Sequence, residues 1–123
     1  MAVPGYAGKI LRVDLTNERL SEEVLDEATL RKWVGGVGLG AKYLYEEVPT
    51  TANWNDPENR LVVASGPLGG TRAGGSGTIS LSAKGCLTNG ATSTQANGFM
   101  GAFMKFAGYD ALIFQGAAKR WVY

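Results

Sequence analysis

Leu61-Val62-Val63-Ala64-Ser65, then Gly66-Pro67-Leu68-Gly69-Gly70-Thr71-Arg72-Ala73-Gly74-Gly75-Ser76-Gly77, then Thr78-Ile79-Ser80-Leu81-Ser82-Ala83-Lys84, is the stretch on which the fold turns. The first five residues are a short apolar run bounded by turn residues, which reads as a buried strand. The last seven alternate, with Ile79, Leu81 and Ala83 on one face, and read as a second strand. A glycine-rich loop joins the two.

Working outward, Gly8–Thr16 alternates as a strand, with Ile10, Val13 and Leu15 its apolar positions. Asn17-Glu18 signals a turn, and Arg19–Val24 returns, so a hairpin is expected. Asp26 is placed to cap a short helix that carries Leu30, Trp33 and Val34 and ends at Gly35-Gly36. A second helix is expected from about Gly38 to Glu47, striped by Leu39, Tyr43 and Leu44 and stopped by Pro49. Residues 50–59 read as a polar loop. Downstream, Gly85–Gly90 is a turn region. Asn97 is expected to cap a small-residue helix over Gly98–Phe106, closed by Gly108. Ala111–Phe114 is a buried strand, and Arg120-Trp121-Val122-Tyr123 starts another. The fold class is therefore α+β: a β-rich mixed or antiparallel sheet with two or three short helices.

The bulk numbers exclude much chemistry. The 123 residues include 18 glycines, one cysteine and no histidine. One cysteine allows no disulfide framework, no thiolate metal cage and no self-contained iron–sulfur cluster. Without histidine there is no Ser-His-Asp triad and no histidine zinc site. A net charge of +1 argues against a nucleic-acid footprint. The longest apolar runs are far shorter than the ~20 residues of a membrane span. The N-terminus lacks the basic start and apolar core of a signal peptide, which with the lone cysteine points to the cytoplasm.

Charge is unevenly spread. Between Gly66 and Met104 the charged residues are Arg72 and Lys84, with no acid. Two readings of the Gly66–Gly77 loop stand. Successive amides of a glycine-rich loop can converge on an anion, with Arg72 adding a charge-assisted contact. Alternatively, the glycines serve hairpin turns. Thr92-Ser93-Thr94-Gln95-Ala96-Asn97-Gly98 offers hydroxyls, amides and a helix start, again suited to an anion. Gly36-Val37-Gly38-Leu39-Gly40 follows a helix rather than a strand, so it reads as a helix–helix break with close packing, not as a dinucleotide loop. Cys86 reads as a small buried or half-buried residue. Trp33, Trp54 and Trp121 read as packing residues.

Four stretches in order carry a resemblance: Tyr6–Leu15 (YAGKILRVDL), Gly35–Gly40 (GGVGLG), Ala64–Thr71 (ASGPLGGT) and Met104–Asp110 (MKFAGYD). Together they resemble the N-terminal domain of the tungsten-containing aldehyde ferredoxin oxidoreductases, and the likeness covers essentially the whole chain. It implies a β-rich domain forming the base under a tungsten or molybdenum bis-pterin cofactor. Its two pterins supply the sulfur ligands, and a magnesium ion bridges their phosphates. The iron–sulfur cluster and the acid–base residues would come from later domains. No catalytic or metal-ligating residue is expected in this chain. The cofactor-binding set is Arg72, Gly74, Gly75, Ser76, Gly77, Thr78, Gln95, Ala96, Asn97 and Gly98. Thr78 stands where many family members carry an arginine that touches the pterin. Gln95 stands where many carry an asparagine whose backbone carbonyl positions magnesium. These departures suggest a distinct subgroup.

The expectation is thus the N-terminal part, residues 1–123, of a larger domain, its end at Trp121-Val122-Tyr123 fitting truncation. The full-length enzyme would oxidise aldehydes to carboxylic acids with ferredoxin as acceptor, partnered by its own remaining domains, while this chain alone would be inactive. The alternative is a non-catalytic assembly module that self-associates through exposed sheet edges.

Overall fold

β1 (Lys9–Asp14) and β2 (Arg19–Val24) pair antiparallel in the expected hairpin, with Lys9 opposite Val24 and Asp14 opposite Arg19. Asp14 holds the turn by accepting the amides of Thr16 and Asn17, each at 3.0 Å. The computed structural model describes residues 3–123. Two helices follow, α1 (Glu27–Trp33) and α2 (Gly36–Glu47), then β3 (Arg60–Ala64), β4 (Ile79–Lys84), β5 (Ala91–Ala96), α3 (Met100–Phe106) and β6 (Ala111–Gln115). The six strands form one sheet in the order β2-β1-β6-β3-β4-β5. The β1–β6 pair is parallel and every other pair antiparallel. The sheet is mixed and the class α+β, as expected.

The core lies on the face covered by α1 and α2. Ile10, Val62, Ala64, Ala111 and Ile113 come up from the strands, and Leu30, Leu39 and Tyr43 come down from the helices. Full burial of such a side chain contributes about 1.5–3 kcal/mol. Asp26 caps α1 as its position suggests, its Oδ1 accepting the Thr29 amide at 2.7 Å. On the opposite face a smaller cluster of Val63, Ile79 and Met104 is flanked by Leu81, Tyr109, Leu112 and Phe114.

The predicted β4 face is real but is not the better buried one. Ser80 and Ser82 point under α2 and are almost wholly buried. The physical reason is glycine spacing. A Cβ at Gly40 would lie 2.2 Å from Ser82 Oγ, so only a helix with glycine there can approach this closely.

Several expectations need correction. α2 begins at Gly36, so Gly35 and Val34 alone separate the helices. Residues 91–96, expected as a polar lead-in to a helix, form edge strand β5, because the Gly85–Gly90 turn folds them back onto β4. α3 begins at Met100 without a side-chain cap, since the Asn97 side chain is engaged elsewhere. Residues 120–123 form no strand: no neighbouring strand pairs with them. Cys86 is exposed in its turn. Trp33 packs on the core, but Trp54 and Trp121 are exposed. Among the described residues no helix is long and apolar enough to cross a membrane.

Candidate functional site

β3 ends at Ala64, and the chain turns at once. The Ser65 amide donates to the Asp110 carbonyl at 3.0 Å, anchoring the loop where β6 begins. The loop is then a series of tight turns held from within: Gly69 to Gly66 (3.0 Å), Thr71 to Leu68 (3.1 Å), Gly70 to Ser76 (2.9 Å) and Thr78 to Gly75 (3.2 Å), each amide donating to a carbonyl. These internal bonds are the tight turns of the hairpin reading, and they leave a concave surface above the sheet end.

The two predicted clusters meet. A Cβ at Gly77 would fall 1.4 Å from the Gly98 carbonyl oxygen, so the backbones touch where no side chain fits. The Gly77 carbonyl accepts the Gly101 amide at 3.1 Å, tying the junction to α3. Thr78 Oγ1 lies 2.7 Å from Asn97 Oδ1 and 2.8 Å from the Gly75 carbonyl, and can donate to either.

Beside this junction is an open depression of about 290 Å³. Of the predicted set, Gly75, Ser76, Thr78 and Gln95 line it. Gly77, Asn97 and Gly98 form the junction behind it. Arg72 and Gly74 lie on the exposed outer loop, and Ala96 is exposed opposite Ile79, so none of these three is on the wall.

Sequence reasoning missed Ser65, Ser80 and the first turn of α2, Gly36 and Val37, all of which line the depression. A signal existed. Gly36 and Gly40 recur at i, i+4 as Ser80 and Ser82 recur at i, i+2, the pattern of a helix lying close on a strand. Ser80 pairs with Gln95 across β4 and β5, which puts both on the same face.

No titratable side chain lines the depression. Its walls are backbone, hydroxyls, one amide side chain and a few apolar groups. Such a site can donate and accept hydrogen bonds, but it holds no acid or base to move a proton. The nearest ion pair, Lys105 with Asp110, is occupied internally: Asp110 also accepts the amides of Ala7 and Gly8, and Lys105 donates to the Gly5 carbonyl.

The comparison with known families bears on what such a site serves. The family model for the aldehyde ferredoxin oxidoreductase N-terminal domain matches residues 10–123. The chain belongs to this family. Among relatives, the tungsten-containing aldehyde ferredoxin oxidoreductase of Pyrococcus abyssi is 41% identical over 119 residues, covering 97% of this chain and 20% of that protein. The aliphatic sulfonate oxidoreductase WOR-like subunit of Pyrococcus furiosus is 39% identical over 121 residues, covering 96% of this chain and 19% of the relative. A solved structure, the active-site complex BamBC of benzoyl coenzyme A reductase with 1,5-dienoyl-CoA, superposes with a TM-score of 0.93 at 34% identity, covering 97% of this chain and 18% of that one. The chain spans about a fifth of the length of these relatives.

Proposed function

We propose that this segment holds the phosphate end of a tungsten or molybdenum bis-pterin cofactor within a larger oxidoreductase. One observation carries the reading. The depression at the Gly77–Gly98 junction has no charged wall residue, yet it contains two buried hydroxyls, of Ser65 and Ser80, with no partner in the protein. A cofactor that brings its own sulfur ligands asks of the protein donors and shape, not metal ligands. The donor set therefore fits the group.

The relatives strengthen this. Proteins named for aldehydes, aliphatic sulfonates and benzoyl coenzyme A match over the same region. A segment shared across such different substrates serves what they have in common. When bound, the metal–pterin group supplies two-electron redox chemistry, which in the full-length enzyme oxidises an aldehyde to a carboxylic acid and passes electrons toward ferredoxin. This chain's residues hold and orient. Gly75 and Ser76 on the wall, with the adjoining Gly77, would offer backbone amides to the phosphates, Thr78 and Asn97 would keep the junction closed, and Gln95 would stand where a backbone carbonyl positions magnesium. Arg72 lies outside the wall and would reach the cofactor only by its long side chain.

The iron–sulfur cluster, the ferredoxin contact and the acid–base residues belong to the remaining domains, in a cytoplasmic enzyme. Those domains would cover the exposed row of Phe99, just before α3, and Phe103 and Phe106 on it, whose adjacent rings lie about 6 Å apart. The chain alone would not turn over. The alternative of a self-associating module draws on β5, an edge strand exposed along its whole length. The deciding measurement is metal and pterin analysis of the full-length protein from a tungsten-competent host. Tungsten or molybdenum with bound pterin is expected, and absence of both metals overturns the reading.

A further inference from the structure

Val34 joins α1 to α2 in a conformation that valine rarely takes. Its φ is 62° and its ψ −59°. Across it the Gly35 amide donates to the Trp33 carbonyl at 2.7 Å. This is a γ-turn of the rare, strained hand. A branched side chain at positive φ adds a steric cost that glycine would not carry. Val34 is 52% exposed, so burial offsets little of it.

Such a conformation persists only where its surroundings hold it, and both ends of this turn are held. On one side, α1 is fixed by the buried Leu30 and by Trp33, which packs on the core. On the other, the Gly36 amide donates to the Ser65 carbonyl at 3.0 Å. A Cβ at Gly35 would fall 2.6 Å from that same carbonyl oxygen, and one at Gly38 would fall 2.0 Å from the Trp33 carbonyl oxygen. Ser65 is itself anchored, because its amide donates to the Asp110 carbonyl.

The other two non-glycine residues at positive φ supply the contrast. Glu18 and Asn89 sit in the β1–β2 and β4–β5 turns, where the chain reverses, and neither is branched at Cβ. Val34 instead stands two residues before the wall of the depression, where Gly36 and Val37 face Ser65 and Gly66.

We propose that the Val34 turn is a strained two-state link, closed on Ser65 when the depression is filled and open more often when it is empty. In the closed state the Gly36–Ser65 bond holds the wall and keeps Val34 strained. In the open state Val34 relaxes and the first turn of α2 leaves the loop. An occupant that touches both sides of the wall favours closure, because only the closed state gives it both contacts. The proposal rests on the cofactor reading only for what fills the depression.

Hydrogen exchange of the full-length protein, read by mass spectrometry at the Gly36 amide, tests this in two arms. The first uses protein from a host unable to make the pterin. Val34→Gly should slow exchange at Gly36 severalfold by removing the strain. Val34→Ala, which loses the branch but keeps the Cβ, should fall between. An unstrained turn gives the opposite sign, since glycine only loosens it, so faster or unchanged exchange in Val34→Gly overturns the proposal. The second arm uses protein whose pterin and metal have been measured. Bound cofactor should slow Gly36 severalfold in the wild type and less in Val34→Gly. Bound cofactor without such slowing overturns the link between turn and site and leaves the cofactor reading standing. Absence of pterin and of both metals overturns the cofactor reading, while the first arm still decides the turn.

Discussion

Asp110 Oδ2 accepts the amide of Gly8 at 2.6 Å, across 102 residues of chain. Its Oδ1 accepts the Ala7 amide at 3.1 Å and pairs with the Lys105 ammonium. Lys105 in turn donates to the Gly5 carbonyl at 2.7 Å and lies over the Tyr6 ring. Two of the four stretches that carry the family likeness, Tyr6–Leu15 and Met104–Asp110, therefore form one latch. It pins the N-terminal segment where β6 begins, and the Asp110 carbonyl continues the chain of bonds to Ser65 at the site.

Replacing Asp110 by alanine leaves a nearly buried ammonium without its partner and two amides without an acceptor. The expected loss is about 3–5 kcal/mol, read as a lower midpoint in urea unfolding. A change under 1 kcal/mol would show that the latch is ornamental.

Acid sensitivity should centre on Glu47. Burial pushes its carboxyl up, but bonds from Arg12 and Arg60 outweigh this and hold it below its ordinary 4.5. The unfolded chain therefore takes up the proton first as pH falls. The contribution is complete above about pH 4.5 and is lost below it, through the lowered folded-state value. Glu47→Gln should flatten the acid limb of a stability–pH curve and cost roughly 1.5–3 kcal/mol at neutral pH.

Gly40→Ala should be destabilising by about 1–3 kcal/mol, because the new methyl meets both Oγ and Cβ of Ser82. Ser82→Ala alone should be neutral or stabilising, since it removes a buried hydroxyl without a partner. Thermal melts of the two variants should move in opposite directions or differ clearly.

Gly77→Ala should part the Gly77–Gly98 junction, where the added carbon falls 1.4 Å from a carbonyl oxygen. In the full-length enzyme, pterin content should drop severalfold while the protein stays folded by circular dichroism. Retention of full pterin content would separate the junction from cofactor binding.

Arg72→Ala makes the milder counterpart. Arg72 is exposed and off the wall, so its removal should lower pterin retention less than Gly77→Ala does. An equal or larger effect would move the cofactor outward onto the loop tip.

Local structure is legible in the sequence where a residue's own chemistry decides its conformation. The Asp26 cap, the Asn17-Glu18 turn, the glycine end of α3 and the apolar runs of β3 and β6 all follow from such rules. β5 was not legible, because Ala91–Ala96 has no buried face and becomes a strand only by pairing with β4. Ser65 and Ser80 are not legible for a related reason. Serine in or beside a strand is ordinarily read as solvent-facing, and here α2 lies over Ser80 and the Gly69 turn over Ser65. Gly77 and Gly98 stand out in the sequence as glycines of two polar stretches, but nothing local says that they touch.

The chain's residues alone decided its chemical limits. One cysteine, no histidine and an acid-free glycine-rich stretch leave that stretch a surface of amides and hydroxyls, whatever the fold. Family membership was also written there, in four short stretches. The tertiary structure decided the convergence. β6 inserts between β1 and β3, which brings Asp110 to Gly8 and Ser65, while α2 descends on β4 along its glycines. Convergence of this kind depends on contacts between distant segments, whose free energy comes from the whole packed sheet. No window of sequence contains it.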